Sequence, residues 1–245
     1  MPSQKKTTKK QSQKQEIPIT VKPKRNSLFT TIAIVVFLLL IVSLISGCTS
    51  LFMPEQETGN VAVVPIHGII SPSSSSGTFD EAVTGSSQMA QIIEEANQDK
   101  SIKAIVLDIN SGGGTPVASA EIAQAVKNAE KPTIAWIRDV GASGAYWIAT
   151  ATDTIVAHEL STTGSIGVTG SYLEFSGLLN DYNVTYNRQV SGYYKDMGTP
   201  MKEMTPSEER IYQDLLDKMH DVFIKEVAGN RNLSIEKVEE LADGR

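Results

Sequence analysis

An α/β fold built on a parallel sheet is predicted by three features of this sequence. Short Val- and Ile-rich runs recur, helical patterns separate them, and glycine-rich elbows close two of the runs. Residues 61–70 form a strongly apolar run rich in Val and Ile and read as the first buried strand. Strands over 102–109, 133–137, 154–157 and 184–190 continue the series, with helices near 88–97, near 117–128 and from about 143. Their near-continuous apolar character predicts a sheet covered by helices on both faces, with ligands at the carboxyl ends of the strands. Residues 71–87, rich in serine and carrying Pro72, Gly77 and Gly85, read as the most flexible loop of the body.

The C-terminal part follows a different pattern. Thr205-Pro206-Ser207-Glu208 is a capping box with proline at the first helical position, so a helix is expected from Pro206. Ile211, Leu215, Met219 and Phe223 recur at spacing four and predict a packing face on it, for the core or for another subunit. A last helix is expected over 235–242.

Ahead of the sheet the chain reads as tail, span and linker, over 1–27, 28–47 and 48–60, with one domain over 61–245. The tail carries eight Lys and Arg against Glu16 alone, a net +7 that leaves −13 on the remainder. It reads as a disordered basic segment. Residues 28–46 hold no charge and approach the roughly 20 residues that cross a bilayer. The positive-inside rule then keeps the N-terminus in the cytoplasm and the domain outside it. Ile45-Ser46-Gly47-Cys48 also has the form of a lipobox, which ranks second to the uncleaved anchor because tail and apolar run exceed a usual signal peptide. Cys48 is the only cysteine, which excludes an intrachain disulfide and a thiolate metal cluster. The acidic body disfavours a nucleic-acid partner.

Two elbows carry the chemistry. Asn110-Ser111-Gly112-Gly113-Gly114 and Gly141-Ala142-Ser143-Gly144-Ala145 each follow a strand-like run, and the second lifts a serine into the turn. Glycines there let amide N–H groups approach developing negative charge, an oxyanion hole beside a nucleophile. A serine needs a base. His67, His158 and His220 are the only histidines, and none sits in a motif that would position it or in the spacing of a zinc site. Lysine is the other base, because burial disfavours its charged form. Lys195 lies in Ser191-Gly192-Tyr193-Tyr194-Lys195-Asp196-Met197-Gly198-Thr199-Pro200, a glycine-punctuated loop whose aromatics can desolvate it.

With Thr163-Gly164-Ser165-Ile166-Gly167-Val168 added, these segments in this order resemble the signal peptide peptidase A family over about 61–245. That family consists of membrane-bound serine peptidases with a Ser-Lys dyad on a ClpP/crotonase-like fold. The resemblance implies Ser143 as nucleophile, Lys195 as general base 52 residues later, Ser165 as a serine that holds the lysine, and Gly113 and Gly144 as oxyanion amides. It also implies signal peptides as substrates, no metal or cofactor, and a homo-oligomeric ring whose sites can draw residues from neighbouring protomers. In the family, further strand and helix follow the segment that here is Ala242-Asp243-Gly244-Arg245. Ala145 stands where a Gly-x-Ser-x-Gly hydrolase elbow has glycine, against an α/β-hydrolase. Two rivals from other classes remain: a catalytically silent peptide-binding scaffold on the same fold, and a crotonase-type acyl-CoA enzyme, which a position across the membrane disfavours.

Overall fold

The computed structural model describes residues 59–74 and 82–245, together with helical residues at 29, 32, 34–41 and 43. The chain divides into two compact units, Met1–Glu57 and Thr58–Arg245, and the sheet lies in the second. Part of the expected span over 28–47, the whole of the lipobox and residues 75–81 of the serine-rich loop fall outside the described residues. Among the described residues no helix is long and apolar enough to cross a membrane.

Among the described residues six strands form one parallel sheet: β1 (Val61–Ser71), β2 (Val83–Gly85), β3 (Ala104–Gly114), β4 (Thr133–Ala142), β5 (Thr154–Ala157) and β6 (Thr162–Gly164). The order is β2-β1-β3-β4-β5. The first half of β4 pairs with β5, from Ile134 against Thr154 to Ile137 against Ala157. Its end pairs with β6, where Val140, Gly141 and Ala142 lie opposite Thr162, Thr163 and Gly164. Between strands run α1 (Ser86–Gln98), α2 (Pro116–Lys127) and α3 (Gly144–Thr150); α4 (Ser176–Asp181), α5 (Pro206–Arg231) and α6 (Ile235–Glu239) follow.

Alternation along the strands decides where the core lies. Val64, Ile66, Ile105, Leu107, Ile109, Ala135 and Ile137 are wholly buried, and with Ile93, Ile122 and Ile148 from α1, α2 and α3 they make one apolar cluster. The intervening residues point to the other face, where Val61, Val63, Trp136 and Val156 are between 41% and 60% exposed. The sequence predicts cover on both faces, yet among the described residues the helices cover one. The strand order explains this. It advances in one direction from β2 to β5, so right-handed crossovers lay their helices on the same side.

The expected strand over 184–190 is not formed: these residues are exposed and neither helical nor extended in a sheet. Their β-branched and aromatic residues suit a strand, but a strand needs a neighbour to pair with, and none of the six pairs there. The last helix ends at Glu239 rather than 242. On α5 the capping box is present, with Thr205 Oγ1 accepting from Glu208 N–H at 3.3 Å and Glu208 Oε2 accepting from Thr205 N–H at 2.8 Å. Glu208 is buried, and Lys202 Nζ donates to both its oxygens at 2.8 and 2.9 Å.

Asp153 ties the start of β4 to the chain entering β5. One carboxylate oxygen accepts from Thr133 N–H at 2.7 Å and from its hydroxyl at 2.9 Å, and Asp153 N–H returns a bond to Thr133 Oγ1 at 3.0 Å. These bonds hold the Asp153 carboxyl below the usual carboxylate range. A depressed folded value means the stabilisation is complete above the unfolded value and is lost as pH falls through the folded one. Asp153→Asn is therefore expected to lower the melting temperature at neutral pH, and the gap from the parent should close as a thermal melt series is taken down through the carboxylate range.

Candidate active site

Three neighbouring strands end together. Ser111 pairs with Gly141 across β3 and β4, and Ala142 pairs with Gly164 across β4 and β6. The next residues along β4 and β6 are Ser143 and Ser165, so the register sets these two serines side by side at the carboxyl ends of the strands. Both have positive φ, 53° and 50°, a region that residues with a side chain rarely enter and that clusters at functional sites.

Ser143 forms the corner between β4 and α3, with φ 53° and ψ −125°. Its N–H donates to Gly164 O at 2.8 Å, and its carbonyl accepts from Trp147 N–H at 3.0 Å as the first helical bond. The hydroxyl has no hydrogen-bond partner among the described residues and faces a cavity of about 450 Å³. One wall of that cavity comes from the strand ends and loops, including Gly114, Gly144 and Ser165; the other is apolar, with Trp147, Leu215, Met219 and Phe223. Trp147 is buried and stacks on Phe223 with ring centroids 4.9 Å apart. The spacing-four face of α5 thus lines this space with three of its four residues, and Ile211 does not line it.

The two glycine amides differ. Gly144 heads α3, where first-turn N–H groups have no intrahelical partner. Gly113 lies against the elbow with φ 101°, but its N–H donates to Ser111 Oγ at 3.0 Å, and that hydroxyl donates to Gly68 O at 2.6 Å. Ser165 is half-buried; its N–H donates to Arg245 O at 2.6 Å and its hydroxyl reaches Gly244 O at 3.4 Å.

Lys195 is placed elsewhere. It sits exposed on a turn between α4 and α5, does not line the Ser143 cavity, and its amine has no hydrogen bond or ion pair among the described residues. The histidines do not line the cavity either: His67 lies 3.5 Å from Asp108, and His158 Nδ1 accepts from Leu160 N–H at 3.1 Å. Among the described residues no three His, Cys, Asp or Glu are grouped to hold a metal.

Sequence comparison identifies the domain. The model of Peptidase family S49 matches residues 125–245, a stretch that contains Ser143, Ser165 and Lys195 and begins after Gly113. A relative from Enterococcus faecium, named as a candidate signal peptide peptidase SppA, is 34% identical over 78% of this chain and 57% of its own length. Over residues 125–245 this chain carries a Peptidase family S49 domain. A second relative, protease 4 of Haemophilus influenzae, is 31% identical over 76% of this chain and 30% of its own length. The chain thus spans about half of the first relative and less than a third of the second. Among solved structures, a variant of the 1510-N membrane-bound stomatin-specific protease is 18% identical, with 76% of this chain and 70% of that chain covered and a TM-score of 0.44.

The glycines around the elbow are not equivalent. A Cβ on Gly113 would lie 2.7 Å from Gly144 N and 2.9 Å from Ser143 Cβ, and one on Gly144 would lie 2.1 Å from Ser119 Oγ. A Cβ on Gly112 would meet nothing within 4 Å. In chemical denaturation, Gly113→Ala and Gly144→Ala are expected to lose roughly 1–3 kcal/mol of stability while Gly112→Ala stays close to the parent.

Proposed function

We propose that this chain is a membrane-anchored serine endopeptidase with a Ser-Lys dyad, acting on signal peptides left in the membrane after preprotein processing. The observation that carries the reading is Ser143, an unbonded hydroxyl on a strained corner that opens onto a cavity beside the head of α3. The family match and the relative named for signal peptide peptidase add to it. The apolar wall of Trp147, Leu215, Met219 and Phe223 suits the apolar side chains of such peptides.

The neutral Lys195 amine takes the Ser143 proton as Oγ bonds to the peptide carbonyl carbon, and the C=O electron pair moves onto oxygen. Gly144 N–H meets that oxyanion, joined by Gly113 N–H once it turns from the Ser111 hydroxyl. Collapse breaks the C–N bond, and Lys195 returns the proton to the leaving amine. Water, deprotonated in turn by Lys195, then attacks the ester carbonyl; collapse breaks the C–O bond to Ser143 and Lys195 returns the proton to its Oγ. Ser165, beside Ser143 in register, receives and orients the lysine. No step calls on a metal or cofactor.

Lys195 reaches a serine through assembly: in a homo-oligomeric ring, the turn of one copy enters the Ser143 cavity of the next. The segment leading to it supports this. Leu173, Leu178, Tyr182 and Val184 are each more than half exposed in the single chain, and α4 buries no residue. In the same reading the basic tail stays in the cytoplasm, residues 28–47 anchor the chain, and the domain from Val61 onward works outside. Intact mass places the lipoprotein alternative, since cleavage before Cys48 removes the tail.

A second reading, a silent peptide-binding scaffold, draws on the engaged Gly113 amide and on Lys195 not lining the cavity. Activity separates them. Ser143→Ala and Lys195→Ala should each abolish cleavage of a fluorogenic peptide, and the double variant should be no worse than either. Co-assembly of the two single variants should recover part of the activity, because one interface then pairs an intact serine with an intact lysine. No recovery from mixed assemblies rules out supply by a neighbour, and no cleavage by the parent favours the scaffold. A lysine base also requires the neutral amine, so kcat/KM should rise from acid toward neutral and alkaline pH. A profile already at its maximum near about pH 5 would be incompatible with it.

A further inference from the structure

The turn that carries Lys195 is braced by hydrogen bonds, while the amine itself makes none among the described residues. Gly192 and Gly198, with φ 94° and 78°, bracket it. Inside, Lys195 N–H donates to Gly192 O and Met197 N–H to Tyr194 O, both at 3.1 Å, and Thr199 N–H donates to Asp196 O at 3.0 Å. Arg188 lies against this run of turns. Its Nε donates to Asp196 Oδ2 at 2.7 Å, and Nη2 donates to Asp196 Oδ1 at 2.8 Å and to Tyr193 O at 2.7 Å. Tyr193 in turn packs edge-on against Tyr194, with ring centroids 4.8 Å apart.

Lys195 therefore stands between two residues that Arg188 and its contacts hold in place. Asp196, its neighbour in sequence, offers the nearest anion along the chain. Yet both carboxylate oxygens are engaged by the guanidinium fork, a planar match that an ammonium group does not reproduce. The geometry points to Arg188 and Asp196 as positioning residues for Lys195: the pair fixes the turn that presents the amine, and the guanidinium occupies the carboxylate that would otherwise capture it. This rests on Lys195 being the base.

The fork holds the Asp196 carboxyl below the usual range and raises Arg188, so both groups stay charged at working pH. Other charges bear on the pair: Glu208 acts on Arg188, and Lys202, itself joined to Glu208 at 2.8 Å, acts on Asp196. These remain in every variant below, so differences between variants come from the pair alone.

The signs are opposite for the two partners. Arg188→Gln releases a carboxylate beside the amine, which favours its protonated form and moves the acidic limb of kcat/KM to higher pH. Asp196→Asn leaves a cation without its partner and moves that limb to lower pH. Arg188→Gln combined with Asp196→Asn removes both charges and returns the limb to the parental position, while kcat stays reduced because the fork is gone. A pair that served only to hold the fold would lower activity without this antisymmetry.

The test is the pH profile of fluorogenic-peptide cleavage by the full chain purified in detergent, for the parent, these three variants and Lys195→Ala. The expected result is displacement of the two single-variant limbs in opposite directions by roughly half a pH unit. Coincident limbs, with Lys195→Ala inactive, overturn the positioning role and leave the base assignment standing. An active Lys195→Ala overturns the base assignment and the inference with it. Where circular dichroism finds a single variant unfolded, Arg188→Lys decides. It keeps the charge without the fork, so a reduced kcat on an unmoved limb supports the inference and parental kinetics overturn it.

Discussion

The corner at Ser143 holds a residue with a side chain in a conformation that costs on the order of 1–3 kcal/mol, and much of the surrounding structure is what keeps it there. On one side the Ser143 amide is bound to Gly164 through the pairing of β4 with β6. On the other, Ala145, Ile148 and Ala149 of α3 are wholly buried and fix the direction in which the chain leaves the corner. Gly113 has no room for a methyl group against the corner itself, and Gly144 has none against Ser119 of α2. Relaxing φ at this one residue would mean moving a helix out of the core.

Around that corner two stretches of the chain are built on different principles. Up to β6 the chain is a layered body whose strand interiors are fully buried. Beyond it, residues 171–195 are almost all exposed, and order comes from local devices: a short helix, successive tight turns, and the Arg188 fork on Asp196. A segment with so little core holds its shape through hydrogen bonds to itself, and its apolar side chains are left for other surfaces.

What could be read from residues alone follows the same division. Strands β1, β3, β4 and β5 and helices α1, α2 and α5 were legible because a long apolar run, a helical period or a capping box each has a direct physical cause in residue type. β2 and β6, three residues each, carry no period, so β6 and with it the side-by-side placement of Ser143 and Ser165 could not be derived from pattern. The stretch over 184–190 has the composition of a strand but no partner, which is information held by the rest of the fold. At the site, the elbow glycines marked the turns by their rarity of side chain. Trp147 as cavity wall and the engagement of Gly113 by Ser111 were not legible, since both depend on where neighbouring elements come to rest. The face of α5 was visible as a stripe, and its spacing alone left open whether core, subunit or cavity lay opposite.

The open face of the sheet gives this chain an optical property. Its two tryptophans stand on opposite sides of the domain's layers. Trp136 is 41% exposed on the uncovered strands, with the Arg138 guanidinium 4.1 Å above its ring, and Trp147 is sealed against Phe223 in the cavity wall. Indole emission follows local polarity, so the two contribute separate red and blue components to one fluorescence spectrum. Whatever covers the sheet alters the first, and whatever enters beside Ser143 alters the second, without any label being attached.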